Sequence, residues 1–139
     1  VATKGNPHCH VILRGGSDGP NYDAESISRV EAQLLKAGLA PRIMVDCSHD
    51  NSGKDHLRSP EIFREVLSQA LQGRESIIGL LLESNLVAGS QAFPQPKSDL
   101  VYGQSITDPC VDWSTTEALI LEGYNALEPR MVEKANLVT

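Results

Sequence analysis

Ile43-Met44-Val45-Asp46-Cys47-Ser48-His49 is a short apolar run that breaks directly into polar and ionisable side chains. Two other stretches share its character. Cys9-His10-Val11-Ile12-Leu13 ends in Arg14-Gly15-Gly16, and Ile77-Ile78-Gly79-Leu80-Leu81-Leu82 ends in Glu83-Ser84-Asn85. In each the apolar residues are continuous and not alternating, as in strands buried on both faces of a parallel sheet covered by helices. Segments of helical period lie between them. Ile27, Val30 and Leu34 recur on one face of a helix over Ala24 to Ala37, with Asp23 as N-cap and Gly38 as stop. Ser59 as cap and Pro60 at the first helical position open a second helix over Glu61 to Gln72, whose stripe is Ile62, Phe63, Val66, Leu67, Ala70 and Leu71. Ser114 and Glu117 form a capping box for a third, with Leu119, Ile120, Tyr124 and Leu127 as its buried stripe and Pro129 as its end; the last ten residues read as frayed. Strand and helix alternate, so the fold class is α/β. The connection from Ser84 to Trp113 is long and turn-rich, with Gly89, Pro94, Pro96 and Gly103, and such loops usually carry function.

The chain's 139 residues make one domain of ordinary size, with 40% hydrophobic and 22% charged residues, a composition typical of soluble globular chains. No window approaches the roughly 18 apolar residues of a membrane span. Twelve Lys+Arg against eighteen Asp+Glu leave a net charge of −6, which excludes a diffuse positive field for nucleic acid or an anionic membrane. Any anion is therefore expected to be held by a few placed cations. Three cysteines in no C-x-x-C pattern argue against a disulfide framework and for a reducing, cytoplasmic setting. The chain opens at Val1 with no secretory leader pattern, and the expectation is a piece of something longer. The sequence contains no G-x-S-x-G, Walker loop, G-x-G-x-x-G or H-E-x-x-H.

Chemistry in parallel α/β folds gathers at the carboxyl ends of the strands. Arg14 and Glu83 follow the first and third runs directly, His49 closes the Asp46-Cys47-Ser48-His49 stretch that ends the second, and Asp108 lies in the long loop after the third. A guanidinium followed by two glycines suits a phosphate or carboxylate gripped by paired hydrogen bonds; the plain alternative for Arg14 is a rim salt bridge. His49, Glu83 and Asp108 make an N,O,O set suited to Mn²⁺, Fe²⁺, Co²⁺ or Zn²⁺, against the alternative of three separately solvated side chains. Cys9 and His10 sit at the amino end of a strand and read as a core thiol and a satisfied histidine rather than ligands. Cys47 shares strand parity with His49, but a packed thiol is the favoured reading. Ser52 and Lys54 are secondary candidates for a phosphate, and Trp113 reads as a packing anchor.

The strings His10-Val-Ile-Leu-Arg-Gly-Gly16, Pro20-Asn-Tyr22, Asp46-Cys-Ser-His49, Asn51-Ser52, Glu83-Ser-Asn85 and Tyr102-Gly-Gln-Ser-Ile-Thr-Asp108 closely resemble the carboxyl-terminal part of 3-deoxy-D-arabino-heptulosonate 7-phosphate (DAHP) synthase, in particular its microbial and fungal type I branch. They fall in order from Val1 to about Leu127, and the tail over 128–139 carries none of the pattern. The resemblance implies an enzyme of the shikimate pathway that joins phosphoenolpyruvate to erythrose 4-phosphate on a (β/α)₈ barrel with a divalent metal. The three βα units would then be the last three of eight. By the same resemblance Arg14 binds the phosphoenolpyruvate phosphate, His49, Glu83 and Asp108 are metal ligands, and Asp108 and His49 stand at the reacting centre, Asp108 near the aldehyde oxygen. A fourth ligand, a cysteine, and a Lys-Pro-Arg-Thr segment for erythrose 4-phosphate belong upstream in that family and have no counterpart here. Pro109 and Leu80-Leu81-Leu82 depart from the family pattern without removing a matched functional residue. A complete barrel takes about 250 residues, so the isolated chain is expected to be inactive and to form a homo-oligomer that covers its open strand edges. The other readings are a non-catalytic phosphate- or metal-binding module that self-associates, and the related synthase that uses arabinose 5-phosphate.

Overall fold

The computed structural model describes residues 1–6 and 8–136, with side chains described as far as Arg130. Three strands, β1 (Val11–Leu13), β2 (Ile43–Asp46) and β3 (Ile77–Leu81), form a parallel sheet in the order β1-β2-β3. The helix α1 (Ala24–Lys36) connects the first pair, and the one-turn α2 (His49–Ser52) followed by α3 (Ser59–Leu71) connects the second. A two-stranded parallel ribbon, β4 (Val87–Ser90) with β5 (Gln104–Ser105), precedes α4 (Trp113–Asn136).

Register explains where the core lies. Leu13, Val45 and Leu80 are neighbours in one row, and Ile12, Met44 and Gly79 in the next. The first row packs under the helices: Val45, Ile43, Ile27, Ile62 and Val66 are buried almost completely with Leu13 and Cys47. The second row is open, since Ile12 is 44% exposed, and Ile78, at the register shift between β2 and β3, is 49% exposed. Burial on both faces, expected from the continuous apolar runs, is thus found on one face only, because the helices of this chain cover one side of the sheet.

The helices follow local rules closely at some ends and depart from them at others. Asp23 caps α1 by accepting from the Ser26 amide at 2.9 Å, and Gly38 at φ +70 follows the helix. For α3, Ser59 lies inside the helix and Arg58 occupies the cap position without a side-chain cap. For α4 the capping residue is Asp112 and not Ser114: its carboxylate accepts from the Thr115 amide at 2.8 Å and from the Ser114 hydroxyl at 3.0 Å. The buried stripe of α4 also differs from expectation. Thr116, Leu119 and Gly123 face inward, with Gly123 against Phe63, whereas Ile120, Tyr124 and Trp113 are more than half exposed. Trp113 is therefore not a packing anchor. Nor does Pro129 end the helix, which continues to Asn136, with Arg130 donating to the Ala70 carbonyl of α3 at 2.9 Å. Proline removes one intrahelical hydrogen bond, and the contact to α3 helps offset that loss. Within the tail, residues 137–139 lie outside the described residues. No described helix is long and apolar enough to cross a membrane.

Candidate metal centre

The carboxyl ends of the strands are built by a chain of backbone and amide contacts. β2 stops at Asp46, and the backbone turns through Ser48 into α2, with His49 in the left-handed region at φ +46. Such a conformation is unfavourable for a side chain other than glycine and persists only where its surroundings hold it. Asn51 does much of this holding. Completely buried, it donates to the carbonyls of Leu13 (3.1 Å) and Asp46 (2.7 Å) and accepts from the Asn21 amide (2.8 Å), while its own amide donates to the Arg14 carbonyl (3.2 Å). One side chain thus ties the ends of β1 and β2 together. The approach is so close that a Cβ on Gly15 (φ +78) would lie 2.7 Å from the Asn51 nitrogen, so only glycine fits.

Ser48 links β2 to β3: its hydroxyl accepts from the Glu83 amide at 3.0 Å. Glu83 in turn offers its carbonyl to the Val111 amide at 3.1 Å, and Asn85 donates to the Val111 carbonyl at 3.0 Å. Cys110 and Val111 are buried, so the segment carrying Asp108 is pinned beside the end of β3. The long, turn-rich connection contains β4 and β5 and is further ordered by Gln91, whose side chain bonds the backbone of Val101 and Gln104.

These contacts bring His49, Glu83 and Asp108 together. One ligand atom from each lies within 4.8 Å of the other two, and all three residues are partly buried. His49 Nε2 is 3.4 Å from Glu83 Oε1, and its Nδ1 is 2.6 Å from Asp46 Oδ2. Two carboxylates converging beside an imidazole repel one another unless a cation sits between them, and the N,O,O donor set suits a borderline-to-hard divalent ion. The residues present fit such a metal. Arg14 is exposed at the end of β1, and among the described residues no carboxylate pairs with it, so a rim salt bridge does not consume its charge.

Other expected candidates do not join this group. Ser52 is buried and donates to the His49 carbonyl at 3.1 Å, which leaves no hydroxyl proton for a phosphate. Cys47 packs in the core, where burial pushes its thiol up to about 12, so it offers no thiolate. Its strand parity with His49 lapses because β2 has already ended. Cys9 and His10 are exposed, not buried, because β1 begins only at Val11, where the Arg42 carbonyl supplies the first ladder bond. Sequence reasoning overlooked Asp46 and Asn51 as contributors; full burial of a polar side chain at a strand end is the signal that identifies them, and it is visible only in three dimensions. One cleft of about 560 Å³, lined by Tyr22, Asp23, Glu61, Arg64 and Glu65, belongs to the helix layer, and Arg64, its one cation among the described residues, is engaged by Glu122 at 2.9 Å.

A model of the DAHP synthetase I family matches residues 1–121. The chain is 48% identical over 128 residues to a Tyr-sensitive phospho-2-dehydro-3-deoxyheptonate aldolase of Enterobacter agglomerans, covering 92% of this chain and 60% of that protein. It is 46% identical over 131 residues to the Tyr-sensitive aldolase of Salmonella typhimurium, covering 94% of this chain and 36% of the relative. The solved phospho-2-dehydro-3-deoxyheptonate aldolase of Francisella tularensis superposes with a TM-score of 0.86 at 41% identity, over 92% of this chain and 37% of that one. The chain spans 60% of the length of the first of these proteins and little more than a third of the other two. It belongs to the DAHP synthetase I family.

Proposed function

We propose that this chain forms the carboxyl-terminal part of a (β/α)₈ barrel that condenses phosphoenolpyruvate with erythrose 4-phosphate to give DAHP, and that it carries the metal site and one phosphate-binding cation of that active centre. The observation that carries this reading is the convergence of His49, Glu83 and Asp108, with Arg14, which has no carboxylate partner among the described residues, just past the end of the neighbouring β1. A divalent metal bound there would supply Lewis-acid polarisation of the aldehyde oxygen of the sugar phosphate. Arg14 would hold the phosphate of phosphoenolpyruvate through two parallel hydrogen bonds, fixing the enol relative to the aldehyde. Asp108, on a segment pinned beside the end of β3, would hold or pass a proton near that oxygen. The open sheet face formed by Ile12 and Ile78 would be covered by the remaining strands of the barrel. Because the residues for erythrose 4-phosphate are expected upstream, the isolated chain should have little or no synthase activity.

The test is a chimera in which residues 1–127 replace the matching part of the Salmonella typhimurium relative. It should form DAHP from phosphoenolpyruvate and erythrose 4-phosphate with Mn²⁺ and discriminate against arabinose 5-phosphate, and Arg14→Ala should raise KM for phosphoenolpyruvate at least tenfold. A folded, Mn²⁺-binding chimera that makes no DAHP would overturn the proposal.

A further inference from the structure

Asp46 is a carboxylate at 2% exposure, and among the described residues no Lys or Arg pairs with it. Burying such a charge is costly unless its partners are good, and here they are two. Oδ1 accepts from the Ser48 amide at 2.8 Å, and Oδ2 meets His49 Nδ1 at 2.6 Å. The backbone carbonyl of the same residue is held by Asn51 at 2.7 Å. Both carboxylate oxygens are thus occupied on the side of the imidazole away from Glu83, and Asp46 is outside the convergent ligand group. A carboxylate in this place accepts a proton-bearing Nδ1, which leaves the Nε2 lone pair on the side facing Glu83.

We infer that Asp46 is the positioning residue of the metal centre: it fixes His49 as the Nδ1-protonated tautomer and aims Nε2 at the cation. The inference rests on the metal reading above. It also accounts for the backbone. Side chains three apart on a continuing strand point to opposite faces and cannot meet. The left-handed turn at His49 brings the i and i+3 side chains together, so the conformational cost of φ +46 is coupled to the Asp46 contact. Carboxylate–histidine–metal arrangements of this kind typically alter metal affinity by about 10–100-fold when the carboxylate is removed.

The experiment uses the full chain labelled with ¹⁵N-histidine, wild type and Asp46→Asn, with His49→Gln to assign the His49 resonances. At pH 8 without metal, long-range ¹H–¹⁵N correlation should show His49 in the wild type with a protonated Nδ1 and a bare Nε2, and Asp46→Asn should lose that single-tautomer signature. Mn²⁺ titration should then give about 10–100-fold weaker binding in Asp46→Asn, with far-UV circular dichroism unchanged. A wild-type ring protonated at Nε2 overturns the inference, even if the variant fails to fold. Equal Mn²⁺ affinity of the two folded proteins overturns it as well. A wild type with the expected tautomer that binds no Mn²⁺ would overturn the metal reading, and the metal-directed role of Asp46 with it, while showing that Asp46 still sets the ring.

Discussion

Gly15 is where the strand-end architecture depends most sharply on one residue. Its φ of +78 is uncomfortable for any side chain, and an added Cβ would run into the backbone of Asp50 and Asn51 at 2.7 Å. Gly15→Ala is expected to destabilise the fold by about 2 kcal/mol or more, read as a lower urea midpoint. Gly16→Ala, with nothing within 4 Å of the new methyl and no positive φ, should stay within about 0.5 kcal/mol of wild type. Arg14 and Glu83 were legible as candidates because each follows an apolar run directly, and His49 because it closes the short polar stretch after one, strand ends being where parallel folds place their chemistry. Asp46 and Asn51 were not, since their importance lies in contacts that form only once the backbone turns left-handed at His49. Ser52 looked available in sequence and is consumed by a local hydrogen bond.

Asp23 shows how an element boundary becomes a pH-dependent term. Hydrogen bonds from Ser26 hold its carboxyl below the ordinary carboxylate range. A group whose folded value is depressed stabilises the fold above its unfolded value and loses that contribution as pH falls through the folded one. Asp23→Ala should therefore cost about 1 kcal/mol at pH 7, and the gap in thermal midpoint between variant and wild type should shrink below about pH 4. The alternation of strands and helices was readable because apolar continuity and helical period are properties of short windows. The four-residue α2 was not, being shorter than any period can reveal. The orientation of α4 was misread for a different reason. Ile120 and Tyr124 were assigned inward by their apolar character, but the residues turned inward are Thr116, whose hydroxyl meets that of Ser84, and Gly123, which lets Phe63 of α3 approach closely.

For the whole molecule, the central feature is asymmetry: one sheet face is sealed by helices and the other is open. Ile12 and Ile78 on the sheet and Ile120, Leu121 and Tyr124 on α4 expose apolar surface that a self-sufficient domain would cover. The isolated chain is expected to associate, so light scattering after size-exclusion chromatography should show a mass that rises with concentration; a monomer at all concentrations would contradict this. The α/β class and the alternation of strands with helices followed from the sequence, whereas the order of the strands in the sheet and the extent of the open face depend on register and on which rows the helices reach. The candidate metal centre is assembled from two strand ends and a distant loop. The most direct test is titration of Mn²⁺ into the purified chain, followed by electron paramagnetic resonance of the free ion. One bound ion per chain is predicted, with affinity reduced at least tenfold in each of His49→Ala, Glu83→Gln and Asp108→Asn; no binding, or binding indifferent to all three substitutions, would contradict it.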